Sequence, residues 1–149
     1  AFRYQFMEGK TSDQLKETLD GYIDPGKRER MTENVMKGVD STFFKPAIKR
    51  VIRMLDGMEM ALQKNLWLAG DTYSLADIAF TPYVNRVSHL QQDWLLESRR
   101  NTRNWFGRVC ERPSFKVAME DWFIDDFLAL MEAKGQESRD GIKAIVSEI

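Results

Sequence analysis

Apolar side chains recur at spacings of three and four between residues 44 and 62, which is the period of one face of an α-helix. The residues of this stripe are Phe44, Ile48, Val51, Leu55, Met58 and Leu62. A helical period runs through nearly the whole chain, and the alternation typical of a strand is hard to find. The sequence therefore predicts an all-α fold in which residues 41–64 form the longest helix.

Cap and turn residues mark shorter helices before this long one. Thr11 or Ser12 can cap a second helix that ends near Gly21. Asp24 at the N-cap and Pro25 at the first helical position are suited to begin a third helix. The chain opens with large apolar residues and without methionine, so we expect a fragment whose first helix begins upstream.

Further helices are predicted after the long one, over residues 74–90, 98–112 and 121–131, with a short helix from residue 114. The segment from Lys134 onward is polar and weakly patterned. It is interpreted either as a mobile tail or as a segment that docks through Ile142, Ile145 and Val146.

The composition is that of one globular domain, residues 1–149, with balanced charge. Lys and Arg total 22 and Asp and Glu total 23, so the net charge is −1. A nucleic-acid-binding domain normally carries a basic excess, and no nucleic-acid partner is expected. Cys110 is the single cysteine, which excludes an intramolecular disulfide and favours a cytoplasmic location. No apolar run approaches the about 20 residues that span a bilayer, so no membrane partner is expected.

Ser74 and Asp77 form the strongest local motif. Ser74 can cap the helix that follows it, and the Asp77 side chain can accept a hydrogen bond from the Ser74 N–H in return, as in a capping box. Loss of either side chain is expected to cost about 1 kcal/mol of stability. The functional alternative makes Asp77 a catalytic acid or metal ligand. No second carboxylate or histidine stands at ligand spacing, so the structural interpretation is preferred and no metal is expected.

Residues 66–79, with the sequence LWLAGDTYSLADIA, resemble the start of the buried helix in the C-terminal domain of the glutathione S-transferase family. Trp105-Phe106 and Arg112-Pro113-Ser114-Phe115 are similar to a later helix of that family and to the proline that ends it. The resemblance implies an all-α bundle without the family's N-terminal thioredoxin-like domain. Ala1-Phe2 and the region from Ser12-Asp13 to Asp24-Pro25 are also similar to bacterial β-etherase-like members.

The same resemblance implies a division of chemical roles. The thioredoxin-like domain would hold the co-substrate glutathione and supply the residue that activates its thiol, so no catalytic residue is assigned in this chain. The helical domain would form the wall of a pocket for a small electrophile, often aromatic, within a homodimer. Four aromatic residues could line that pocket or could equally belong to the core: Tyr4, Phe6, Trp122 and Phe123.

Other chemically capable residues have simpler structural interpretations. Cys110 lies beside Phe106 and Val109 in a helical stretch and is interpreted as a small core residue. His89 lies near a helix end, where positive charge is mildly favoured. Five arginines at positions 99, 100, 103, 108 and 112 are expected to form a solvated ion-pair face with nearby glutamates.

Three functional hypotheses follow. The first is the co-substrate-binding part of a glutathione transferase, inactive by itself. The second is a non-enzymatic module for protein association, since domains that resemble this one serve assembly in translation factors and aminoacyl-tRNA synthetases, and fold alone does not fix function. The third is an unrelated helical bundle in which the motifs are convergent.

Overall fold

The computed structural model describes residues 2–149, with side chains described from Arg3 onward. The predicted all-α fold is confirmed, because these residues form α-helices and no β-strand. The helices are α1 (Phe2–Met7), α2 (Ser12–Asp20), α3 (Pro25–Lys37), α4 (Phe44–Leu62), α5 (Leu75–His89), α6 (Arg100–Cys110), α7 (Pro113–Ala118) and α8 (Asp125–Val146). Short 3-10 turns occupy Gly38–Asp40, Asp93–Leu96 and Glu120–Trp122.

The helices divide into two compact units, each described by itself. The first unit contains the described residues up to Arg50 together with Asp140–Ile149, and the second contains Val51–Arg139. Helices α4 and α8 each contribute to both units. The second unit carries the residues of the capping motif.

Side-chain caps fix the helix starts of the first unit. Thr11 Oγ1 accepts from Gln14 N–H at 3.3 Å while Gln14 Oε1 accepts from Thr11 N–H at 2.9 Å, so Thr11 rather than Ser12 caps α2. Asp24 Oδ1 accepts from Lys27 N–H at 2.6 Å and caps α3, with Pro25 at its first position. These caps satisfy N–H groups that the first helical turn leaves without intrahelical partners.

The core of the first unit joins α1, α2 and α3. Leu15, Leu19 and Val35 are buried together, and four partly buried side chains pack against them: Phe6, Met7, Tyr22 and Met31. Arg3 donates through Nη2 to Met36 O at 3.0 Å, and through Nε to Val35 O. This guanidinium therefore satisfies carbonyls that the end of α3 leaves open.

The buried face of α4 differs in part from the predicted stripe. Leu55, Met58 and Leu62 are buried as expected, but Ile52 is buried as well, whereas Val51 is only partly buried. Val51 lies four positions before Leu55 and Ile52 lies three, and both spacings suit a helix with 3.6 residues per turn. The apolar spacing alone therefore cannot show which of the two side chains is buried.

The segment after Lys134 belongs to a helix. Helix α8 runs from Asp125 to Val146, where the sequence predicted a helix over residues 121–131 and a separate tail. In the second unit, a Cβ atom on Gly135 would lie only 2.0 Å from Leu90 O, so this glycine permits a close backbone approach. Gln92 Nε2 joins the same two chain segments by donating to Leu90 O at 2.7 Å and to Gly135 O at 2.8 Å.

Candidate functional site

Asp77 in the first turn of α5 is a heavily hydrogen-bonded carboxylate of the second unit. Its Oδ2 accepts from Ser74 N–H at 2.8 Å and from Ser74 Oγ at 3.0 Å. Its Oδ1 accepts from Leu68 N–H at 3.0 Å and from Trp105 Nε1 at 2.8 Å. Ser74 Oγ accepts in turn from Ala76 N–H at 3.2 Å, and the reciprocal contacts of a capping box are present.

The Asp77 carboxylate joins three segments of the chain rather than one helix end. The residue is fully buried. Burial alone would raise its pKa, but the hydrogen bonds from Leu68, Trp105 and Ser74 together outweigh burial and hold the pKa below its ordinary value of 3.8. An ionised carboxylate whose two oxygens accept four hydrogen bonds has no free position for a metal or a substrate. This geometry supports a structural role for Asp77.

Glu59 performs a similar task for α6, and the sequence reasoning did not identify it. Its Oε1 accepts from Asn101 N–H at 3.2 Å and Asn101 Nδ2 at 2.8 Å, and its Oε2 accepts from Thr102 N–H at 2.8 Å and Thr102 Oγ1 at 2.9 Å. Burial raises the pKa of Glu59, but these hydrogen bonds outweigh it and lower the pKa from 4.5. Arg99 stands at the N-cap position of α6 and gives no side-chain cap. The lack of a capping residue there was the one sign in the sequence that the first N–H groups of α6 need an acceptor from elsewhere in the chain.

The arginines near α6 do not form the predicted ion-pair face with nearby glutamates. Arg99 pairs instead with Asp56, whose Oδ1 lies 2.6 Å from Arg99 Nη2. Arg112 Cζ lies 3.7 Å from the centroid of the Tyr73 ring, so this guanidinium packs on an aromatic face. The prediction failed because spacing along one helix cannot show the aromatic residues of a neighbouring segment.

Tyr4 and Phe6, two of the predicted pocket residues, lie in α1 of the first unit. Tyr4 is 42% exposed, and Arg3 Cζ lies 5.7 Å from its ring centroid. Phe6 packs against the buried cluster of Leu15, Leu19 and Val35. Phe6 thus contributes to the core of this unit, whereas Tyr4 presents its ring at the surface.

Trp122 and Phe123, the other two predicted pocket residues, lie between α7 and α8 in the second unit. Trp122 is 77% exposed, and its Nε1 donates to Val117 O at 3.0 Å. Phe123 packs edge-to-face on His89, with ring centroids 4.8 Å apart. The structure therefore places these two neighbours in different surroundings, one open to solvent and one against the end of α5.

The environment of His89 favours the neutral imidazole. Burial chiefly, and the charge of Arg86 in addition, lower the pKa of His89 below 6.5. The sequence expectation that a helix end would favour its positive charge is therefore wrong. Burial of the imidazole and the charge of Arg86 outweigh the partial charge of the helix terminus.

The remaining chemically capable groups show no built reactive centre. Burial raises the pKa of the Cys110 thiol, and the charges of Glu120 and Glu111 raise it further, so the thiolate is disfavoured. Within residues 2–149, no group of three or more His, Cys, Asp or Glu residues is arranged to hold a metal ion. No helix of the described chain is both long and apolar enough to cross a membrane.

Two surface grooves of the first unit have volumes of about 550 and 490 Å³. One runs along α3 between Pro25 and Lys37, and the other lies around the connection between α3 and α4, next to Ile145. None of the four predicted aromatic residues lines either groove. These grooves therefore do not correspond to the pocket expected from the sequence.

Comparison with known proteins agrees with this helical arrangement. The family described as "Glutathione S-transferase, C-terminal domain" matches residues 31–113, which is more than half of the chain. The chain belongs to this family. The matched region contains α4, α5 and α6 with Glu59, Ser74, Asp77 and Trp105.

Individual relatives match over part of their length. The chain is 38% identical over 63 residues to glutathione S-transferase F13 of Arabidopsis thaliana, covering 42% of this chain and 29% of the relative. It is 30% identical over 78 residues to glutathione S-transferase F9 of Arabidopsis thaliana, covering 52% and 36%. Ganglioside-induced differentiation-associated protein 1-like 1 of Homo sapiens is 25% identical over 108 residues, covering 64% and 29%. The chain thus spans about a third of these relatives, and no solved structure matches it significantly.

Proposed function

We propose that this chain is the co-substrate-binding, C-terminal part of a glutathione transferase-like enzyme. Its membership of the glutathione S-transferase C-terminal domain family carries this proposal. In the proposed reaction, the glutathione thiolate attacks an electrophilic, aromatic small molecule. Holding glutathione and the electrophile close together would raise the reaction rate through proximity, and deprotonation of the glutathione thiol would activate the nucleophile.

Glutathione would be bound and activated mainly by a thioredoxin-like domain outside residues 1–149. The raised pKa of Cys110 and the fully occupied carboxylate of Asp77 support this division, because neither group is suited to take the thiol proton. The chain by itself is therefore proposed to be inactive in conjugation. A cytoplasmic location remains a prediction, as does the likeness to β-etherase-like members.

Within the second unit, the aromatic co-substrate would contact Trp122 and Phe123. Contact with Tyr4 and Phe6 stays a prediction from the sequence. Trp122 supports this proposal most directly, because a 77% exposed indole offers a large apolar face to a planar ligand. Phe123 is held by His89, so its ring is positioned before a ligand arrives. Phe6 contributes less than first predicted, since it already packs in the core of the first unit.

Binding of a non-reactive aromatic analogue tests this assignment. The chain would be titrated with dinitrobenzene and followed by isothermal titration calorimetry. We expect Trp122→Ala to weaken binding about tenfold, the loss typical of an important aromatic contact. Tyr83→Ala is the matched control, because Tyr83 is also exposed, at 60%, but lies on the outer face of α5.

Equal losses in Trp122→Ala and Tyr83→Ala would show that the analogue binds exposed aromatic residues without selectivity. Absence of binding to the parent chain would contradict the assignment of Trp122. Retention of the longer protein on immobilised glutathione would test the transferase role separately.

A homodimer is also proposed, with α1 and α4 near the two-fold axis, as the family resemblance implies. Two-fold pairing would use the same surface on both copies. An apolar surface on Phe2 and Phe6 is expected to take part in this pairing, but the Phe2 side chain lies outside the described residues. Size-exclusion chromatography with light scattering should give twice the chain mass, and a strict monomer at tens of micromolar would contradict the dimer.

A non-enzymatic association module is the alternative function. One observation favours it: α5 presents the exposed apolar residues Leu75, Ile78 and Tyr83, which are 82%, 52% and 60% exposed. Apolar surface of this kind is often covered by another protein surface. If the chain binds dinitrobenzene and Trp122→Ala loses that binding, the transferase role is favoured. If the chain binds no analogue but associates with another protein surface, and Leu75→Ser abolishes that association, the association module is favoured.

A further inference from the structure

Two arginines next to the capping motif hold their guanidinium groups against aromatic rings. Arg108 lies in the last turn of α6, and Arg112 lies just after that helix ends. Arg108 Cζ is 5.3 Å and Arg112 Cζ is 5.6 Å from the centroid of the Trp67 ring. Arg112 Cζ is also 3.7 Å from the centroid of the Tyr73 ring. The two guanidinium groups therefore share one aromatic support.

This stacking prepares both side chains for a ligand. An arginine side chain ordinarily loses rotamer freedom when it binds, and contact with an aromatic face restricts that freedom in advance. Arg108 Nη2 is further fixed by donating to Leu66 O at 2.5 Å. The Nε atoms of both arginines are buried and lack an acceptor.

The positive charge of this pair is not compensated by a carboxylate. In the described part of the chain, neither arginine forms an ion pair within 4 Å. Residues 99–112 contain five arginines and one glutamate, although the whole chain has a net charge of −1. Arg99 is paired with Asp56, but Arg108 and Arg112 remain as two cations outside any salt bridge, both packed on the Trp67 ring. Such a pair attracts an anion of matching charge.

We propose that Arg108 and Arg112 form a binding site for a phosphate-type dianion, either free or carried on a small phosphomonoester. A guanidinium group offers parallel N–H donors that match two oxygens of a phosphate. Two such groups supply the two positive charges that a dianion requires. The site is independent of the proposed transferase function, because it uses neither glutathione nor the aromatic residues Trp122 and Phe123.

Calorimetric titration of the full chain with inorganic phosphate, at constant ionic strength, tests the proposal. We expect Arg108→Gln and Arg112→Gln each to weaken phosphate binding by about tenfold or more, as for the loss of a hydrogen bond to a charged group. Arg103→Gln is the matched control, since Arg103 is exposed on the same helix and does not stack on Trp67 or Tyr73. Its affinity should stay within about twofold of the parent, because long-range effects of an exposed charge are screened by salt.

Two further measurements distinguish a free phosphate ion from a phosphomonoester and provide a test that does not depend on Arg112→Gln folding. O-phosphoserine should bind as well as phosphate if a phosphomonoester is accepted, and more weakly if the ligand is the free ion. Arg112→Lys keeps the charge but loses the planar fork, so it should bind phosphate more weakly than the parent even where Arg112→Gln fails to fold. The proposal is overturned if the parent binds phosphate no better than acetate, if Arg103→Gln causes an equal loss, or if Arg112→Lys causes none.

Discussion

Replacement of Asp77 should destabilise the protein far more than replacement of Ser74, although both belong to one capping box. Ser74→Ala removes a cap that accepts from Ala76 N–H and should cost about 1 kcal/mol. Asp77→Ala removes the acceptor of four hydrogen bonds, two of which come from Leu68 N–H and Trp105 Nε1. The structure thus revises the sequence expectation of equal costs.

The magnitude follows from the donors that Asp77→Ala would leave unpaired. Trp105 is fully buried and Leu68 partly buried, and an unpaired buried donor costs about 1–3 kcal/mol. Because Leu68 is only partly buried, its donor should cost the least, about 1 kcal/mol; with up to about 3 kcal/mol for Trp105 and about 1 kcal/mol for the lost cap contact to Ser74, we expect a total of about 3–5 kcal/mol. At about 3 °C per kcal/mol for a domain of this size, the midpoint of thermal unfolding should fall by roughly 10–15 °C.

Urea unfolding followed by circular dichroism at pH 7 measures these costs. Asp71→Ala is the matched control, because Asp71 is exposed in the turn just before the same helix, and it should unfold like the parent. A double-mutant cycle of Asp77→Asn with Trp105→Phe isolates one hydrogen bond, and the two costs should not add. An Asp77→Ala chain no less stable than Ser74→Ala, or additive costs in the cycle, would contradict the role of Asp77 in joining these segments.

Three further predictions concern pH dependence, helix contact and activity. Because the folded-state pKa of Glu59 is lowered from 4.5, the stability that its carboxylate contributes should be complete above about pH 4.5 and lost as the pH falls through the lower folded pKa. Glu59→Gln should make the free energy of unfolding less dependent on acid pH. An unchanged pH dependence in that variant would contradict this role of Glu59. Gly135→Ala should lower stability by about 1–3 kcal/mol by overpacking against Leu90, whereas Gly57→Ala in α4, where an added Cβ meets nothing, should not destabilise. The chain alone should show no glutathione conjugation above the uncatalysed rate, measured spectrophotometrically with an aromatic electrophile; turnover in a preparation free of host transferases would show a site within these helices.

Local sequence determined the starts of α2, α3 and α5, because a side-chain cap of this kind needs only residues within one turn of each other. Thr11 or Ser12, Asp24 and Ser74 were all identified as possible caps from the sequence, and the structure has Thr11, Asp24 and Ser74 at the N-cap positions of α2, α3 and α5. The all-α class was also predictable, since the period of apolar residues is a property of the chain itself. The resemblance in residues 66–79 identified the family from the sequence, since it too rests on one continuous stretch of the chain.

Tertiary structure decided every feature that joins distant segments. Glu59 caps α6 from 42 positions earlier in the chain, and no local pattern indicates such a partner. The polar stretch after Lys134 continues as a helix because tertiary contact at Gly135 and burial of Ile142 outweigh its weak pattern. Trp122 and Phe123 are adjacent in sequence, yet only folding leaves one ring in solvent and places the other against His89. Spacing along a chain fixes neighbours within a helix turn, whereas burial and pKa depend on groups brought close by packing.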